Sequence, residues 1–546
     1  MRGTGTTRRP ASPPPRTRRD RGSGPRAAGP DRPPPRATPP GVPSRAGHPC
    51  APPDRPARPS ADGPDLRHAV RLLPTSRWEG DAVVDPRDLG YDDRDLARTP
   101  GRDDPDDYRH PFARDYDRLV HTSAFRRLQG KTGVVAPGEA DFFRTRLTHT
   151  VEVAQLARRL GGKLGCHPDL VEAAAIMHDF GHAPFGHVGE EELSDTVDDV
   201  ARSWGLEPSD VGGYEGNAQT FRLVTKRLTG SSAEPGLHLT RATLDAATKY
   251  PWERGEVSDV KWCFYPTERE QAAWLRAPVP THRRYTQSFE AQVMEWADDV
   301  AYAVHDLEDF YLSGDLPLAL LTQSAAARDR IGAQLVARRE RRGKLADAPS
   351  DDPERYTGDE LLEAFEQLFT EPHGPFHGFA HLGGEYDGSL EARHALRVVR
   401  KQLINRLVHS VRPVDPDAPP RRHHNDLYIP RDARLVDDVL RDLLWLYVIE
   451  HPRMATYQHG QRRVVRELFE VHAQAVHRDR LDLSIFPRDL QPDLTRLRRR
   501  VDHAAADVEV LRLVADHVGQ MTDDHAARLH RRLTGHTERG FTDYVV

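Results

Sequence analysis

The sequence predicts an all-α fold that follows a disordered amino-terminal tail. From about residue 109 onward, apolar residues recur at helical spacing, whereas alternating strand-like runs flanked by hairpin turns are scarce. The chain has 546 residues, well beyond the roughly 250 to 300 residues at which a single core stops growing. We therefore expect a helical bundle joined to an additional carboxy-terminal helical lobe.

The first sixty residues have a composition that disfavours folding. They contain 17 of the 45 prolines and 13 arginines but no lysine, and such a segment buries too little apolar surface to offset the entropy of ordering it. Its proline runs also exclude the amphipathic helix of a transit peptide. We predict a disordered tail over residues 1–65, or a start codon assigned too far upstream. An alternative interpretation, in which the arginines of the tail bind nucleic-acid phosphates, is supported by charge alone.

Charge and cysteine usage narrow the class of protein. The formal net charge of −6 averages a basic tail with a more acidic body, which argues against a general coat for nucleic acid. Cys50, Cys166 and Cys263 form no CxxC pair, which argues against a disulfide framework or a thiolate zinc site and fits a reducing cytoplasm. Because no run of about 18 apolar residues occurs, no membrane span is expected.

Helical periodicity and turn residues locate the main elements in order. Apolar stripes predict three buried helices, over residues 146–164, 169–177 and 291–310. Glycine, proline and polar residues predict loops or mobile connections over residues 231–236, 265–285, 338–352 and 411–422. Helical patterning resumes over residues 435–447 and 501–533.

The stretch HDFGHAPFGH, from His178 to His187, has the strongest chemical signal. A His-Asp pair at the end of an apolar helix can offer a nitrogen and a carboxylate to one ion. A single His-Asp dipeptide without further context, however, more often marks a solvated helix end. His149 one helix upstream and the pair Asp298–Asp299 on a third predicted helix favour a shared ion. Such a mixed donor set suits Mg, Mn, Fe or Zn about equally. Helical spacing alone leaves the choice between Asp298 and Asp299 open.

These residues resemble the H…HD…D signature of the HD superfamily of metal-dependent phosphohydrolases. More specifically, the chain is similar to the dGTPase-like deoxynucleoside triphosphate triphosphohydrolases from about residue 109 to near its carboxyl terminus. The matching blocks are FRRLQGKT (125–132), RTRLTHTVEVAQLAR (144–158), HDFGHAPFGHVGE (178–190), YEGNAQTFRLV (214–224), LTRATLDAATKYPW (239–252), EWADDVAYAVHDLEDF (295–310) and MTDDHAARLHRRL (521–533).

The resemblance implies a ligand set and a reaction. The four residues that would hold a catalytic divalent metal ion are His149, His178, Asp179 and Asp298. Asp298 is selected because the family's ligand stands four positions before a tyrosine, here Tyr302. The ion would lower the pKa of a water molecule and polarise the α-phosphate, so that the nucleoside and intact triphosphate are released.

His187 and Glu190 match the family's His/Glu pair implicated in proton transfer at the attacking water. An imidazole with a near-neutral pKa, held by a carboxylate, suits that task. The alternative for His187 is an outer histidine that fixes the loop. For His182, where the family varies, that outer role is the expectation.

The same resemblance nominates substrate contacts. Three phosphates need local cations and neutral donors, and the matching residues are Arg146, Asn217, Lys249, Tyr250 and Lys261. Tyr302 would exclude a ribose hydroxyl at C2′ and Asp306 would accept the 3′ hydroxyl, although a tyrosine at helical spacing is as often only part of the core. Gly133 stands where the family commonly has glutamine, which leaves the base preference open.

The predicted organisation is a tail over residues 1–65, a poorly defined lead-in over 66–108, an HD phosphohydrolase domain over 109–320 and a helical domain over 321–546. The last would complete the site and form oligomer contacts, since the resemblance implies a homo-oligomer such as a hexamer. The expected substrate is dGTP or a broader set of dNTPs. Whether a nucleotide or single-stranded DNA acts as an effector stays open.

Three alternatives are weighed against this prediction. Another HD phosphohydrolase, such as a nucleotidase or a guanosine tetraphosphate hydrolase, would not need the EGNAQ and KYPW blocks. A non-catalytic nucleotide sensor would have no use for His187 beside an intact ligand set. A nucleic-acid-binding protein is supported only by the arginine-rich tail.

Overall fold

The computed structural model describes residues 84–98, 107–138, 141–228, 235–346, 355–382, 385–450, 452–478 and 480–536. Within these residues the only sheet pairs the two-residue strands β1 (Arg412–Pro413) and β2 (Leu427–Tyr428), which run antiparallel. The all-α prediction is therefore confirmed. The tail predicted over residues 1–65 lies outside the described residues.

The α-helices of the first half are α1 (Asp93–Leu96), α2 (Pro111–Val120), α3 (Ser123–Arg127), α4 (Arg146–Leu164), α5 (Pro168–Met177), α6 (Gly186–Ser203), α7 (Pro208–Val211), α8 (Gly216–Arg222), α9 (Arg241–Ala246), α10 (Arg269–Arg276) and α11 (Phe289–Leu312). Those of the second half are α12 (Leu318–Gln323), α13 (Ala325–Arg341), α14 (Gly358–Thr370), α15 (Leu390–Ser410), α16 (Arg431–Leu444), α17 (Pro452–Ala475), α18 (Gln491–Arg498), α19 (His503–Gly519) and α20 (Asp523–Leu533). Short 3₁₀ segments cover Pro86–Leu89, Leu128–Gly130, Pro266–Glu268, Thr281–Arg283 and His377–His381, and π segments extend α8 over Leu223–Arg227 and α16 over Trp445–Ile449.

Side-chain caps fix where the three central helices begin. Thr145 accepts a hydrogen bond from the backbone N–H of Thr148 at the start of α4, and Ser288 does the same for Ala291 at the start of α11. At α5, the His167 imidazole is the cap and Pro168 occupies the first helical position. These polar caps explain the observed starts, which differ from the predicted helices 169–177 and 291–310 by one and two residues.

Helices α4, α5 and α11 pack against one another at the centre of the larger apolar core, where Ala157, Ala174 and Val300 have no exposed surface. A second core lies between α6, α17, α19 and α20 and includes Leu193 and Val514. Close packing of the first core holds three helix backbones in fixed relative positions. That rigidity positions the polar groups that these helices present to one another.

Two predicted connections are wrong. Residues 265–285 contain α10, whose Leu275 is fully buried. The start of the segment 338–352 belongs to α13, where Arg338 and Arg339 are buried against Asp442. The polar residues of these segments suggested exposed connections. Arginines can nevertheless be buried when a carboxylate pairs with the guanidinium and the stem packs against apolar neighbours.

The later helices follow the predicted pattern with shifted bounds. Residues 435–447 fall in α16 and its π extension, and residues 501–533 divide into α19 and α20, the second capped by Thr522. The described residues from 84 onward belong to one compact unit, and the expected domain boundary near residue 320 stays a prediction. Among the described helices, none combines the length and apolar character needed to cross a membrane.

Candidate active site

The four predicted metal ligands converge where α4, α5 and α11 meet; we call them the His-Asp cluster. His149 Nε2 lies 3.1 Å from Asp298 Oδ1. His178 Nε2 lies 3.4 Å from the same oxygen and 3.2 Å from Asp179 Oδ1. The two imidazole rings are 6.0 Å apart between centroids. Side chains separated by up to 149 positions in the sequence thus point their donor atoms at one small volume.

The tautomer of His178 suits metal binding. Its Nδ1 is 2.6 Å from the carbonyl oxygen of Ala175, and a nitrogen can bond a carbonyl only by donating a proton. The lone pair of a neutral ring therefore sits on Nε2, which is buried without a hydrogen-bond partner. Metal-ligating histidines use this arrangement, with the second nitrogen donating to a carbonyl or carboxylate. The residues present fit a divalent ion.

The electrostatics of the His-Asp cluster favour positive charge. Burial opposes ionisation of both carboxyl groups, yet the pKa of Asp179 is held well below its usual range by His178 and Arg146, and that of Asp298 by Lys249 and His178. Burial lowers the pKa of His178, but Asp179 and Asp298 more than offset this and raise it. The ionised carboxylates therefore attract a proton or a cation at this point.

The paired aspartates of α11 face different neighbours. Asp298 Oδ2 accepts a 2.7 Å hydrogen bond from Lys249 Nζ, and its other oxygen faces the histidines. Asp299 Oδ1 is 2.8 Å from the guanidinium of Arg441 on α16. Burial raises the pKa of Asp299 to about 6. Of the two, only Asp298 contacts the histidines, which is the arrangement that the family resemblance implied.

A second polar group adjoins the His-Asp cluster. His182 Nε2 lies 2.9 Å from Asp179 Oδ1, and its Nδ1 contacts Glu190. His187 Nδ1 is 3.4 Å from Glu190 Oε2, and its side chain is 70% exposed. Burial alone would raise the pKa of Glu190. His182 and His187 more than offset this effect and hold the pKa of Glu190 well below its usual range. His182 therefore links the predicted ligand Asp179 to the predicted catalytic pair, a contact that gives the outer role expected of His182 a specific form.

Two of the residues predicted to contact phosphate form ion pairs with the carboxylates of the cluster. Arg146 is buried, donating from its guanidinium to Asp179 Oδ2 at 2.9 Å and to the carbonyl of Thr132 at 3.0 Å. Lys249 is paired with Asp298. Both cations orient predicted ligands, and they lie close enough to add positive charge beside a bound anion.

The other predicted phosphate contacts gather around Glu215, the cap of α8. Lys261 Nζ lies 3.0 Å from Glu215 Oε1, and Asn217 donates to the same oxygen at 2.9 Å. Tyr250 is half-buried, with its ring 5.7 Å from that of Trp252. Glu215 was missed because a carboxylate gives no sign, in sequence alone, of the cations that will surround it.

A cavity of about 800 Å³ lies near the His-Asp cluster, because its wall includes Tyr302, one helical turn after Asp298; we call it the central cavity. Its lining includes His187 and Tyr302, together with Phe310, Trp445 and Gln461, but none of the four residues of the cluster. Its volume is within the roughly 300–1,000 Å³ typical of small-molecule sites. Asp306, one turn after Tyr302, has a buried oxygen without a partner, and burial raises its pKa well above the usual range.

Residues distant in sequence hold the loops around this site. Lys131, fully buried, donates to the carbonyls of His182 and Gly519, and burial lowers its pKa to about 7. Asp523, at the start of α20, accepts from the backbone of Thr132 and of Phe185, each at 2.8 Å. Both lie in the quoted sequence blocks, but no sequence pattern predicted these contacts.

One glycine of the HD stretch is required by close backbone approach. A Cβ at Gly181 would lie 2.0 Å from the carbonyl oxygen of Gly216. Its N–H donates to Thr220 Oγ1, whose hydroxyl lies 3.3 Å from the carbonyl of His178. The turn after the His-Asp pair therefore rests directly on α8.

Comparison with known proteins adds independent support. A family model described as the HD domain matches residues 146–223, and one described as the phosphohydrolase-associated domain matches residues 427–532. A deoxyguanosinetriphosphate triphosphohydrolase-like protein of Streptomyces coelicolor is 39% identical over 84% of this chain and 100% of its own length. Relatives with the same name from Bifidobacterium longum (33%; 83% of this chain, 88% of its own) and Corynebacterium glutamicum (34%; 78% and 91%) also align.

The chain belongs to the deoxyguanosinetriphosphate triphosphohydrolase-like family. It is thus an HD-type phosphohydrolase by descent. His149, His178 and Asp179 fall inside the matched HD range. Asp298 lies outside both matched ranges, so its place in the His-Asp cluster rests on the geometry described above.

Proposed function

We propose that this member of the triphosphohydrolase-like family hydrolyses deoxynucleoside triphosphates to the deoxynucleoside and inorganic triphosphate, with a divalent metal ion as cofactor. The supporting observation is the buried, unpartnered Nε2 of His178, which faces two carboxylates beside a cavity of nucleoside size. When bound, the ion supplies Lewis-acid activation of water and phosphate. Mg, Mn, Fe and Zn are all compatible with the donor set.

His187 is the proposed proton-transfer residue. It lies on the central cavity, is solvent-accessible and is backed by Glu190, so it can take a proton from the attacking water and return it to the leaving 5′ oxygen of the nucleoside. Glu190 in turn contacts His182, which contacts Asp179. This chain of contacts keeps His187 in register with the His-Asp cluster.

The triphosphate needs cations, and the site supplies them. Arg146, Lys249 and Lys261 lie around the cluster and around Glu215. Each is paired with a carboxylate, so an incoming phosphate shares those cations with their existing partners. Asn217 and Tyr250 provide neutral donors in the same region.

Selectivity for the deoxy sugar is assigned to two residues of α11. The Tyr302 ring lies on the central cavity, held from behind by the Arg441 guanidinium at 5.6 Å from the ring centroid. A rigid ring at C2′ leaves no room for a ribose hydroxyl. The unpartnered oxygen of Asp306 needs a polar ligand group, and the 3′ hydroxyl supplies one.

Product analysis tests the proposed function. The protein is incubated with Mg²⁺, Mn²⁺, Fe²⁺ or Zn²⁺ and each dNTP, NTP and nucleoside monophosphate, and products are separated by ion-exchange chromatography. We expect deoxynucleoside and triphosphate to be released from dNTPs, and no product from NTPs or nucleoside monophosphates. Release of diphosphate or orthophosphate, hydrolysis of monophosphates, or no turnover in any mixture would refute the proposal.

Assembly is a further part of the proposal. A homo-oligomer, such as a hexamer, follows from the family resemblance, with a nucleotide or single-stranded DNA as candidate effector. Light scattering of the purified chain, with and without dNTP or oligonucleotide, measures the assembly state. A monomer under all these conditions would contradict it.

A further inference from the structure

Three exposed histidines recur at every fourth residue in the segment between α14 and α15. They are His373, His377 and His381, and we call them the histidine ladder. Within the described part of the chain, their imidazoles form no hydrogen bond and no ion pair. None of the three lines the central cavity, and the reaction proposed above uses none of them. Their ring nitrogens are therefore open to a ligand from solution.

The rings of neighbouring histidines in the ladder lie close together. The centroids of His373 and His377 are 5.5 Å apart with an interplanar angle of 59°, and those of His377 and His381 are 6.4 Å apart. The two histidines of the His-Asp cluster have the same angle of 59° at a longer distance of 6.0 Å. Two imidazoles at such separations can share one ion through metal–nitrogen bonds of about 2.0–2.1 Å. His377, the middle member, belongs to both pairs.

Buried aromatic residues hold the backbone of the ladder in place. Phe376 and Phe379 alternate with the histidines and are fully buried. Phe376 stacks on Phe369 of α14 at 4.6 Å between centroids, and Phe379 packs edge-on against Tyr311 of α11 at 4.9 Å. The Gln323 amide donates to the carbonyl of Phe379 at 3.2 Å. The imidazoles therefore extend from a fixed backbone, so little conformational freedom is lost when they bind an ion.

The turn that joins the first two histidines brings their rings together. His373 has a φ of 62°, a left-handed conformation that is uncommon for residues with a side chain. The Gly374 N–H donates to the carbonyl of Glu371 at 2.9 Å, and the His377 N–H donates to the carbonyl of Gly374 at 3.1 Å. Residues in such conformations persist where the surrounding structure imposes them, and they are concentrated at ligand sites.

The donor type selects the class of ion. Imidazole nitrogen suits Zn²⁺, Ni²⁺ and Cu²⁺, whereas Mg²⁺ and Mn²⁺ prefer oxygen donors. We propose that the histidine ladder is a second metal site, which binds Zn²⁺, Ni²⁺ or Cu²⁺ through His377 and one of its two neighbours, with water completing the coordination. The His-Asp cluster, which also has carboxylates, accepts Mg²⁺ or Mn²⁺ as well. The two sites therefore differ in the ions that they select.

Metal titration of matched variants tests this inference. Zn²⁺ is titrated by isothermal calorimetry into the untagged full chain of the wild type, His377→Ala and His282→Ala. His377→Ala removes the nitrogen common to both pairs, whereas His282 is an exposed histidine of another 3₁₀ segment. We expect the wild type and the control to bind one more equivalent of Zn²⁺ than His377→Ala. We expect no difference among the three proteins when Mg²⁺ replaces Zn²⁺.

The His-Asp cluster is intact in all three proteins, so the difference in Zn²⁺ stoichiometry reports the ladder alone. Because this readout does not depend on turnover, failure of the proposed function would leave the test intact. Equal stoichiometry and affinity in the wild type and His377→Ala would overturn the site. An equal loss in His282→Ala would also overturn it, since surface histidines in general would then bind the ion.

A second variant covers the case in which His377→Ala does not fold, as judged by its melting curve. The double variant His373→Ala/His381→Ala leaves His377 without a neighbouring imidazole of the ladder, and we expect it to lose the same equivalent of Zn²⁺. Retention of that equivalent by the folded double variant would contradict the proposal.

Discussion

The His-Asp cluster differs from the wall of the central cavity that Met454, Gln458 and Gln461 of α17 form, in how polar side chains are paired. In the cluster, carboxylates are matched by histidines and by the cations Arg146 and Lys249. On the wall, the side chain of Gln461 is 7% exposed and forms no hydrogen bond with a described residue. The contrast separates a cluster whose charged groups are paired within the protein from a cavity wall whose amide groups face the cavity.

The largest effect expected is at the cluster, in the matched pair Asp298→Asn and Asp299→Asn. Asp298 contacts His149 and Lys249, whereas Asp299 contacts Arg441. We expect Asp298→Asn to lose metal binding and turnover to background, while Asp299→Asn keeps both. Metal content by elemental analysis and triphosphate release are the measurements. Equal losses in the two variants would erase the distinction between the aspartates.

A smaller effect is expected where the cluster meets the cavity. His187→Ala removes the proposed proton-transfer group but no metal ligand, so we expect kcat to fall by about 10²–10⁴-fold with metal content unchanged. The exposed His503→Ala, at the start of α19, is the control. An unchanged kcat would leave His187 only the alternative role of fixing its loop.

The smallest of these effects tests whether the carboxy-terminal helices support the site. Asp523 bonds Thr132 and holds Phe185, whose φ of 65° is strained for a residue with a side chain. We expect Asp523→Ala to lower kcat by about 10–100-fold, since small displacements of positioned groups have effects of that order, while metal content stays intact.

Asp524→Ala is the matched control, because its neighbouring carboxylate is exposed and paired only with Arg528. Asp523→Asn keeps one acceptor oxygen and should recover part of the rate. If Asp523→Ala instead lowers the melting temperature without changing kcat in the folded enzyme, the residue stabilises the fold and does not position the catalytic loop.

The fold and the cluster differ in how far sequence predicts them. Helices such as α4 follow from local periodicity and caps, which neighbouring residues determine. The convergence of His149, His178, Asp179 and Asp298 followed from a motif, and their metal binding remains a prediction. Arg146 and Lys249 were predicted to contact phosphate, and the structure pairs them with Asp179 and Asp298. These ion pairs were not predicted, because ion pairing across helices depends on packing that no local pattern encodes.

The same reason explains the residues that were missed. Asp523 contacts a residue 391 positions away, and Gln461 reaches the cavity only because α17 packs beside α6 and the π segment after α16. Burial of α10 and of Arg338 likewise arises from tertiary neighbours. Long-range contacts of single polar side chains therefore mark the limit of sequence-based inference here.

The central claim is that two histidines and two aspartates share one divalent ion, and pulsed EPR of bound Mn²⁺ tests it most directly. We predict one Mn²⁺ per chain, with nitrogen couplings from two imidazoles in the wild type and from one in His149→Ala if that variant retains the ion. Mn²⁺ bound without any imidazole coupling in the wild type, or identical spectra in the wild type and His149→Ala, would contradict the account.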